Sequence, residues 1–338
     1  MIIISKNQSD IALIDNILAS LVGDAKKTVW QDETIWMVKH ENEIVKEAIK
    51  NIQNIAIYSF QSAYPLVSNK WRNESEIIVG KNEIINHQQI TFIAGPCAVE
   101  SEEQMESVAN ALYQRGIKMM RGGAFKPRTS PYSFQGLGKR GLELLKSKAV
   151  KYDLKTVTEL LDVRDLDLVA SYSDIIQIGA RNMYNYELLK ELGKSSKPIL
   201  LKKHFSATIN EWLLAAEYIL SAGNPNVILC ERGVRGFETE TRNTLDVSAI
   251  ALCKELTHLP VIADPSQASG KSSLVLPLSM AAIAAGADGL IVEVHPDPAN
   301  AMSDGYQSLN YSQLDTLLEK AIIFGESFDK KLDLKVPV

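Results

Sequence analysis

Residues 90–97 read ITFIAGPC, a short apolar run that ends in a Gly-Pro-Cys cluster. Seven more short apolar runs follow, and each of them ends in polar or charged residues. The eight predicted strands are residues 90–97, 117–122, 156–159, 174–179, 198–203, 227–232, 260–264 and 289–294. Helix-like segments separate the strands, so the pattern predicts a closed (β/α)8 barrel of the TIM type. In such a barrel all the strand ends meet at one rim.

The predicted helices match the number of strands. Apolar residues recur three and four positions apart in residues 103–115, 142–151, 165–172, 186–192, 209–220, 247–256, 278–285 and 313–328. An open doubly wound sheet would rarely need so many units. The sequence also lacks the GxGxxG and GxxxxGKS/T phosphate loops, which disfavours a nucleotide-binding fold.

The first 68 residues follow a different pattern. They read as a strand at 1–5, a helix at 11–22, one or two strands at 28–38 around a turn at 31–34, a helix at 43–52 and a strand at 55–60. This β-α-β-β-α-β order predicts a small α+β, ferredoxin-like domain. Residues 1–68 contain no candidate catalytic cluster, so we expect a regulatory or assembly role. Residues 69–89 read as a linker whose small hairpin closes the bottom of the barrel, and 90–338 read as the catalytic barrel.

Composition narrows the class of protein. With 338 residues, 46% of them apolar, the chain can form one large domain and a smaller one. A net charge of −5 argues against nonspecific nucleic-acid binding, which needs a basic surface. No apolar run reaches the roughly 18 residues of a membrane span, and the apolar start of the chain is too short for a signal peptide. The three cysteines lack metal-finger spacing, so we expect a reducing, cytoplasmic setting.

Basic residues collect at the predicted strand ends. They are Arg121, Lys126, Arg128, Arg181, Lys202, Lys203 and Arg232. Most lysines and arginines are solvated surface charges, but so many at one end of a barrel favour a ligand with phosphate and carboxylate groups. The sequence KPRTS at 126–130 adds backbone and hydroxyl donors and is typical of a phosphate clamp. The number of cations indicates two anionic subsites, one for each of two substrates.

A second group of residues suits a metal ion. Cys97, Glu293 and Asp304 could hold a divalent first-row cation through a thiolate and two carboxylates. A cysteine at a strand end is more often a packed apolar residue, but the rim position of Cys97 favours a ligand. Three residues lie near this group in the pattern: Glu159, Asp264 and His295. Three others read as structural: Cys230, Cys253 and His258.

Several segments carry a more specific signal. They are IAGPC at 93–97, RGGAFKPRTSPYSFQG at 121–136, IGAR at 178–181, CERG at 230–233 and EVHP at 293–296. These motifs closely resemble the 3-deoxy-7-phosphoheptulonate synthases, in the short form with an N-terminal ferredoxin-like regulatory domain. The resemblance spans roughly residues 88–330. It implies condensation of phosphoenolpyruvate with erythrose 4-phosphate, the first step of the shikimate pathway toward chorismate and the aromatic amino acids.

The resemblance also implies roles for individual residues. Phosphoenolpyruvate would be bound by Arg121, Lys126, Ala180, Arg181, Lys202 and Arg232, and the aldose phosphate by Arg128 and Thr129. The catalytic residues would be Lys126, Glu159 and Asp264, and the metal would be held by Cys97, Gln267, Glu293 and Asp304. The resemblance further implies a homo-oligomer, either a dimer or a tetramer. Residues 1–68 would then confer feedback control by an aromatic amino acid.

One position departs from the family pattern. The family motif at the seventh strand reads DPSH, whereas residues 264–267 read DPSQ, and the GKSS segment at 270–273 carries less charge than usual. The amide oxygen of Gln267 can reach a metal, but an amide cannot carry a proton. We therefore expect a weakened divalent site that prefers Mn²⁺, then Mg²⁺, over Zn²⁺, with Fe²⁺ and Co²⁺ as further candidates.

Three alternatives follow from this departure. The chain is an active synthase with a modified metal site, or a relative that takes another aldose phosphate or works without a tightly held metal. The third alternative is a catalytically impaired paralogue that is kept as a regulatory partner.

Overall fold

The computed structural model describes residues 1–23, 25–39 and 42–334. Its first part is a four-stranded antiparallel sheet with two helices. The elements are β1 (Ile2–Ser5), α1 (Gln8–Leu21), β2 (Lys26–Trp30), β3 (Glu33–Met37), α2 (Glu43–Ile49) and β4 (Ile55–Tyr58). The strand order β2-β3-β1-β4 is that of a ferredoxin-like fold, which confirms the predicted α+β unit. The segment 28–38, predicted as one or two strands, belongs to two.

Both faces of this sheet are covered. Side chains alternate between the two faces of a strand, so neighbouring residues reach different cores. On one face Ile3 and Trp36 pack beneath α1 and α2. On the other face Ile2 and Trp30 pack against the rest of the chain, and Trp30 Nε1 donates to the carbonyl of Leu220 at 3.0 Å. The sheet is therefore fixed to the barrel of its own chain.

A short hairpin lies between the sheet and the barrel. Its strands are β5 (Ile77–Val79) and β6 (Glu83–Ile85), which pair antiparallel. The side chains of Ile77, Val79 and Ile85 are buried in one cluster with the inward-pointing residues of the barrel strands. The hairpin thus fills the interior at the end of the barrel opposite the strand tails.

The barrel itself is closed. Its strands are β7 (Gln89–Gly95), β8 (Met119–Arg121), β9 (Lys155–Leu160), β10 (Ile175–Ile178), β11 (Ile199–Lys202), β12 (Val227–Glu231), β13 (Val261–Ala263) and β14 (Gly289–Glu293). Consecutive strands pair in parallel, and β14 pairs with β7 to complete the ring, which confirms the predicted (β/α)8 barrel. A short additional strand, β15 (Lys331–Leu332), also pairs with β7. Residues 335–338, the end of the predicted barrel segment, lie outside the described residues.

The helices around the barrel follow the predicted alternation with two differences. They are α3 (Glu102–Gln114), α4 (Lys139–Lys151), α5 (Leu166–Tyr172), α6 (Tyr186–Leu192), α7 (Ile209–Ser221), α8 (Val247–Leu256), α9 (Pro265–Ser269), α10 (Ser272–Ala284) and α11 (Tyr311–Glu326). The short helix α9 was not predicted. Helix α10 begins at Ser272 rather than at residue 278, so Pro277 lies inside it and the predicted start was wrong. Proline removes one backbone hydrogen bond from α10, which packs against α9 and α11. Within the described ranges, no helix is long and apolar enough to cross a bilayer.

Candidate active site

A cavity of about 270 Å³ opens at the carboxyl ends of the barrel strands. Most of the predicted cations line it, namely Arg121, Lys126, Arg128, Arg181, Lys202 and Arg232. Other predicted residues that line it are Thr129, Glu159, Ala180, Gln267 and Asp304. This is the rim at which parallel barrels place their active sites.

Lys203 is the exception among the predicted cations. Its side chain is buried, and it is not among the residues that line the cavity. Successive residues of a strand point to opposite sides, so Lys202 reaches the cavity while Lys203 points away from it, toward Glu231. The prediction of Lys203 as a rim cation was wrong for this reason.

Two arginines that the sequence analysis missed also line the cavity. Arg235 and Arg242 lie in the loop that follows β12. Arg242 Nη1 donates to Asp304 Oδ2 at 3.4 Å and to Gln307 Oε1 at 3.1 Å. The only signal in the sequence was their place after a strand whose tail is already basic, because the loop carries no motif of its own.

The three predicted metal ligands lie together. Ligand atoms of Cys97, Glu293 and Asp304 are all within 4.8 Å of one another. Pairing of β14 with β7 places Glu293 beside the Gly-Pro-Cys turn, and Asp304 lies in the loop after β14. The Cys97 thiol donates to Asp304 Oδ2 at 3.3 Å, and Lys126 Nζ donates to Cys97 Sγ at 3.0 Å. Burial, with the negative charge of Glu293, raises the pKa of the Cys97 thiol to about 12.

Gln267 joins this cluster in an orientation that the sequence did not predict. Its Nε2 donates to Glu293 Oε1 at 2.7 Å and to Asp304 Oδ2 at 3.0 Å. Its Oε1 accepts from Arg232 Nη2 at 3.1 Å. The thiol and the two carboxylates thus fit a divalent cation, whereas the amide directs its donor rather than its oxygen toward the same place.

Buried carboxylates at the site are stabilised in their charged form by neighbouring cations. Asp264 Oδ2 lies 2.5 Å from Lys202 Nζ. Burial acts to raise the pKa of Asp264, but Lys202 and Arg121 outweigh it and hold that pKa below its usual value. Burial opposes ionisation of Asp304 as well, yet Arg242 and hydrogen bonds lower its pKa to about 2. Asp304 therefore presents a fixed negative charge to the cavity, whereas Asp264 is fully buried behind Lys202.

Arg121 has hydrogen-bonding capacity that the protein does not use. Its Nη2 lies 3.2 Å from Glu293 Oε1. Its Nε and Nη1 are buried and have no hydrogen-bond partner among the residues that the structure describes. A buried donor without a partner is destabilising. These two N–H groups therefore indicate the place of an anionic ligand.

Glu159 reaches the cavity because a glycine lies next to it. Gln177 Nε2 donates to Glu159 Oε2 at 3.2 Å and orients the carboxylate. A Cβ atom at Gly179 would lie 2.0 Å from Glu159 Oε1. A side chain at position 179 is therefore incompatible with the position of this carboxylate.

The KPRTS segment forms part of a loop held by its own backbone. The amide of Lys126 donates to the carbonyl of Gln135 at 2.9 Å, and Arg128 Nε donates to the carbonyl of Phe134 at 3.1 Å. Arg128 and Thr129 line the cavity from this loop. The loop thus presents a cation and a hydroxyl together, as a phosphate site requires.

The histidines and cysteines that the sequence analysis placed in structural or loop roles do not line the cavity. Cys230, Cys253 and His258 are fully buried, as predicted for structural residues. His295 Nε2 lies 3.3 Å from Glu100 Oε2, and its Nδ1 accepts from the amide of Asp297 at 3.0 Å. His295 therefore organises its loop and is not among the lining residues.

The fold and the site together define a barrel enzyme that acts on small anionic substrates, because cations together with Glu159 and Asp304 line one opening at the strand ends. Cys97 and Glu293 are buried and are not among the lining residues. The chain belongs to the DAHP synthetase I family, whose model matches residues 67–327. The resemblance inferred from the motifs is thereby confirmed.

Known relatives agree with this assignment. A phospho-2-dehydro-3-deoxyheptonate aldolase of Thermotoga maritima is 52% identical over 257 residues, which are 76% of each chain. A 2-dehydro-3-deoxyphosphooctonate aldolase of Desulfotalea psychrophila is 33% identical over 271 residues, 74% of this chain and 93% of its own. The crystal structure of the T. maritima DAHP synthase has a TM-score of 0.79 at 42% identity and covers 98% of both chains. A truncated form of the synthase from the same organism has a TM-score of 0.75 at 45% identity, covering 80% of this chain and 100% of its own.

Proposed function

We propose that this protein condenses phosphoenolpyruvate with erythrose 4-phosphate to give 3-deoxy-7-phosphoheptulonate and phosphate. The observation that carries the proposal is the pair of buried Arg121 donors without a partner. Arg121 lines a cavity that is also lined by Lys126, Lys202 and Arg232. A small ligand with a carboxylate and a phosphate would satisfy these donors and balance the charge.

The two substrates are assigned to two parts of the cavity. Phosphoenolpyruvate takes the subsite of Arg121, Lys126, Ala180, Arg181, Lys202 and Arg232. The phosphate of the aldose takes the loop of Arg128 and Thr129. With this division, the enol carbon of one substrate and the aldehyde of the other would meet in the space between the two anion sites.

The chemistry then follows from the residues around that space. The enol double bond of phosphoenolpyruvate supplies the electron pair for a new bond from C3 to the aldehyde carbon, and Lys126 stabilises the aldehyde oxygen and gives it the proton that makes it a hydroxyl. Water adds to C2 and gives one proton to Glu159, which replaces the proton lost from Lys126. The bond from C2 to the phosphate oxygen then breaks, the C2 carbonyl forms, and the second proton of the water leaves with the phosphate. Asp264 is fully buried and is not among the lining residues, so it would act by holding Lys202, whose Nζ lies 2.5 Å from it. A divalent cation would be held by Cys97, Glu293 and Asp304, with Gln267 as a weak fourth ligand. Mn²⁺ is the preferred ion, and Mg²⁺, Fe²⁺, Co²⁺ and Zn²⁺ are the alternatives. When bound, the cation would polarise the aldehyde.

A direct assay tests this function. Phosphate release from phosphoenolpyruvate is measured with erythrose 4-phosphate, with added Mn²⁺ and with a chelator. Arabinose 5-phosphate replaces erythrose 4-phosphate in a parallel arm, because a five-carbon aldose would give the octonate product. Release that depends on erythrose 4-phosphate supports the proposal. Release only with the five-carbon sugar, or no release under any metal, contradicts it.

A substitution sharpens the assay. Arg121→Lys keeps the charge but removes the forked donors, so the KM for phosphoenolpyruvate should rise about tenfold or more. Arg140→Lys, on the exposed first turn of α4, is the matched control and should leave KM unchanged. An unchanged KM in Arg121→Lys would remove the main support for the substrate assignment.

We also propose that residues 1–68 form a regulatory domain, joined by the linker 69–89 to a catalytic barrel of 90–338, in a cytoplasmic dimer or tetramer. Its effector would be an aromatic amino acid, which fits the pathway that the reaction would start. Removal of the ferredoxin-like sheet should leave an active enzyme that no longer responds to tyrosine or phenylalanine. An identical response of the full-length and shortened enzymes would contradict this role.

A further inference from the structure

We propose that Gln267 couples the metal site to phosphoenolpyruvate, so that the substrate must engage Arg232 before a divalent cation binds well. The inference rests on the proposed function, since it takes phosphoenolpyruvate as the anion. Its basis is the amide of Gln267, which bridges the carboxylates of Glu293 and Asp304 on one side and the guanidinium of Arg232 on the other.

The orientation of this amide is fixed by its partners. Both N–H groups of Nε2 are used, one for each carboxylate, and Oε1 accepts from Arg232. A half-turn of the amide would place its oxygen against two carboxylates and its N–H groups against a cation. The backbone of Gln267 is held in place by its amide, which donates to the capping carboxylate of Asp264 at 2.9 Å. Only the side chain is free to turn.

A bound cation and this orientation exclude each other. The Nε2 atom lies 2.7 Å and 3.0 Å from oxygens of the two carboxylates that would hold the ion, and its hydrogens would face the ion's charge. Binding through Oε1 requires the half-turn, which breaks the bond from Arg232. The guanidinium then needs another acceptor in a cavity where it is largely buried.

Phosphoenolpyruvate supplies that acceptor. Arg232 lines the cavity, and an anionic oxygen bound to it would replace the oxygen of Gln267. The turned amide would then direct its N–H groups toward the same anion. Phosphoenolpyruvate and the cation therefore both favour the turned conformation of the Gln267 amide. By linkage, each of them raises the affinity of the protein for the other by the same factor.

Gln307 offers a matched comparison on the other side of Glu293. Its Nε2 donates to Glu293 Oε2 at 2.6 Å, and its Oε1 accepts from Arg242 at 3.1 Å. Its side chain bonds to Glu293 alone among the three cluster residues, whereas its backbone amide donates to the carbonyl of Asp304 at 3.3 Å. A substitution at Gln307 removes the amide that links Glu293 to Arg242. It leaves in place the amide of Gln267, which bridges Glu293 and Asp304.

The test is a titration of the full-length protein with Mn²⁺ alone, followed through the electron paramagnetic resonance signal of the free ion. The parent should bind Mn²⁺ weakly, and phosphoenolpyruvate should raise its affinity about tenfold or more. The Gln267→His variant should bind Mn²⁺ tightly without phosphoenolpyruvate, and its Mn²⁺ affinity should depend much less on phosphoenolpyruvate than that of the parent. Gln307→Met should keep the parent's ratio of affinities with and without phosphoenolpyruvate.

Two further measurements separate the outcomes. Calorimetry without metal shows whether phosphoenolpyruvate binds, and if it does not, the proposed function fails first. The coupling through Gln267 is wrong if phosphoenolpyruvate binds but leaves the Mn²⁺ affinity of the parent unchanged. It is also wrong if phosphoenolpyruvate raises the Mn²⁺ affinity of Gln267→His as much as that of the parent. The Gln267→Met variant has neither a hydrogen-bond donor nor an imidazole in its side chain, so it should also lose the coupling. Thermal melting verifies that each variant is folded.

Discussion

Gly179 is the residue that gives Glu159 its place in the cavity. The backbone of Gly179 is not strained, and the requirement is one of space, since a Cβ atom would lie 2.0 Å from the carboxylate oxygen. The proposed catalytic base therefore depends on the absence of a side chain at a neighbouring strand end.

Gly179→Ala should displace Glu159 while the fold is retained. A shift of a catalytic group by about 1 Å lowers kcat roughly a hundredfold, and we expect a loss of that order. Gly236→Ala is the control, because the nearest atom to its Cβ lies 3.9 Å away. Steady-state kinetics and melting curves of both variants provide the measurement. Full activity in Gly179→Ala would show that Glu159 does not act from its present position.

His258 is a residue whose protonation should affect stability. Its Nε2 donates to the carbonyl of Leu66 and its Nδ1 accepts from Ser75, both at 2.7 Å, so the neutral ring satisfies both partners. Burial lowers the pKa of His258 to about 4. In the unfolded chain this pKa returns to about 6.5, so the unfolded state binds the proton more readily between these values.

The free energy of unfolding should therefore fall as the pH drops from about 6.5 toward 4, by about 3 kcal/mol from this group. Above pH 7 the contribution of His258 is complete and constant. Burial raises the pKa of Glu217 to about 7, so the contribution of Glu217 to the free energy of unfolding changes with pH in the opposite direction. The effect of His258 is therefore isolated by comparing the parent with a variant that lacks this histidine. Urea unfolding of the parent and His258→Gln across pH 4 to 8 is the test. Equal slopes in the two proteins would contradict the assignment.

At the scale of elements, the hairpin β5–β6 fills the closed end of the barrel. Ile77 and Ile78 are adjacent on one strand, but Ile77 is 1% exposed inside the barrel whereas Ile78 is 54% exposed. This contrast follows from the alternation of side chains along a strand. The hairpin thus contributes to the interior core of the barrel through one of its faces.

Truncation of the buried isoleucine should destabilise the protein. Ile77→Ala should lower the free energy of unfolding by about 3 kcal/mol, through lost burial and the cavity left behind. Ile78→Ala should change it by less than about 0.5 kcal/mol. Urea unfolding followed by circular dichroism measures both. Similar effects of the two changes would mean that the hairpin does not pack as described.

At the scale of the whole molecule, residues just before the hairpin join the sheet to the barrel. The carboxylate of Glu217 on α7 accepts from the amides of Leu66 and Val67 at 3.1 and 3.0 Å. Leu66 and Val67 are fully buried within the main core. The ferredoxin-like sheet ends at Tyr58, before this segment. The connection therefore contributes to the barrel rather than acting only as a tether.

Two shortened chains should differ for this reason. A chain that begins at residue 61 retains Leu66 and Val67, whereas a chain that begins at residue 69 loses both side chains and leaves Glu217 without its two donors. We expect the shorter chain to melt at least about 5 °C lower. Scanning calorimetry of the two proteins decides the point, and equal melting temperatures would contradict the role of this segment.

Much of this organisation was determined by the sequence alone. Short apolar runs between amphipathic segments specify a ring of strands and helices, since each run can bury its side chains in only a few ways. The polar tails of those runs identified Cys97, Glu293 and most of the cavity's cations, because parallel strands all end at one rim. The β-α-β-β-α-β order likewise predicted the N-terminal sheet.

Only the tertiary structure decided which side of a strand a given charge occupies and which partner each polar group finds. Lys203 points away from the cavity, and Arg242 enters it from a loop without a motif. The amide of Gln267 turns its nitrogen toward Glu293 and Asp304 because Arg232 holds its oxygen. These residues are far apart in the sequence, and their hydrogen bonds form only once the closed barrel brings the strand ends together. Local pattern sets the elements, but contacts between distant segments set the chemistry of the site.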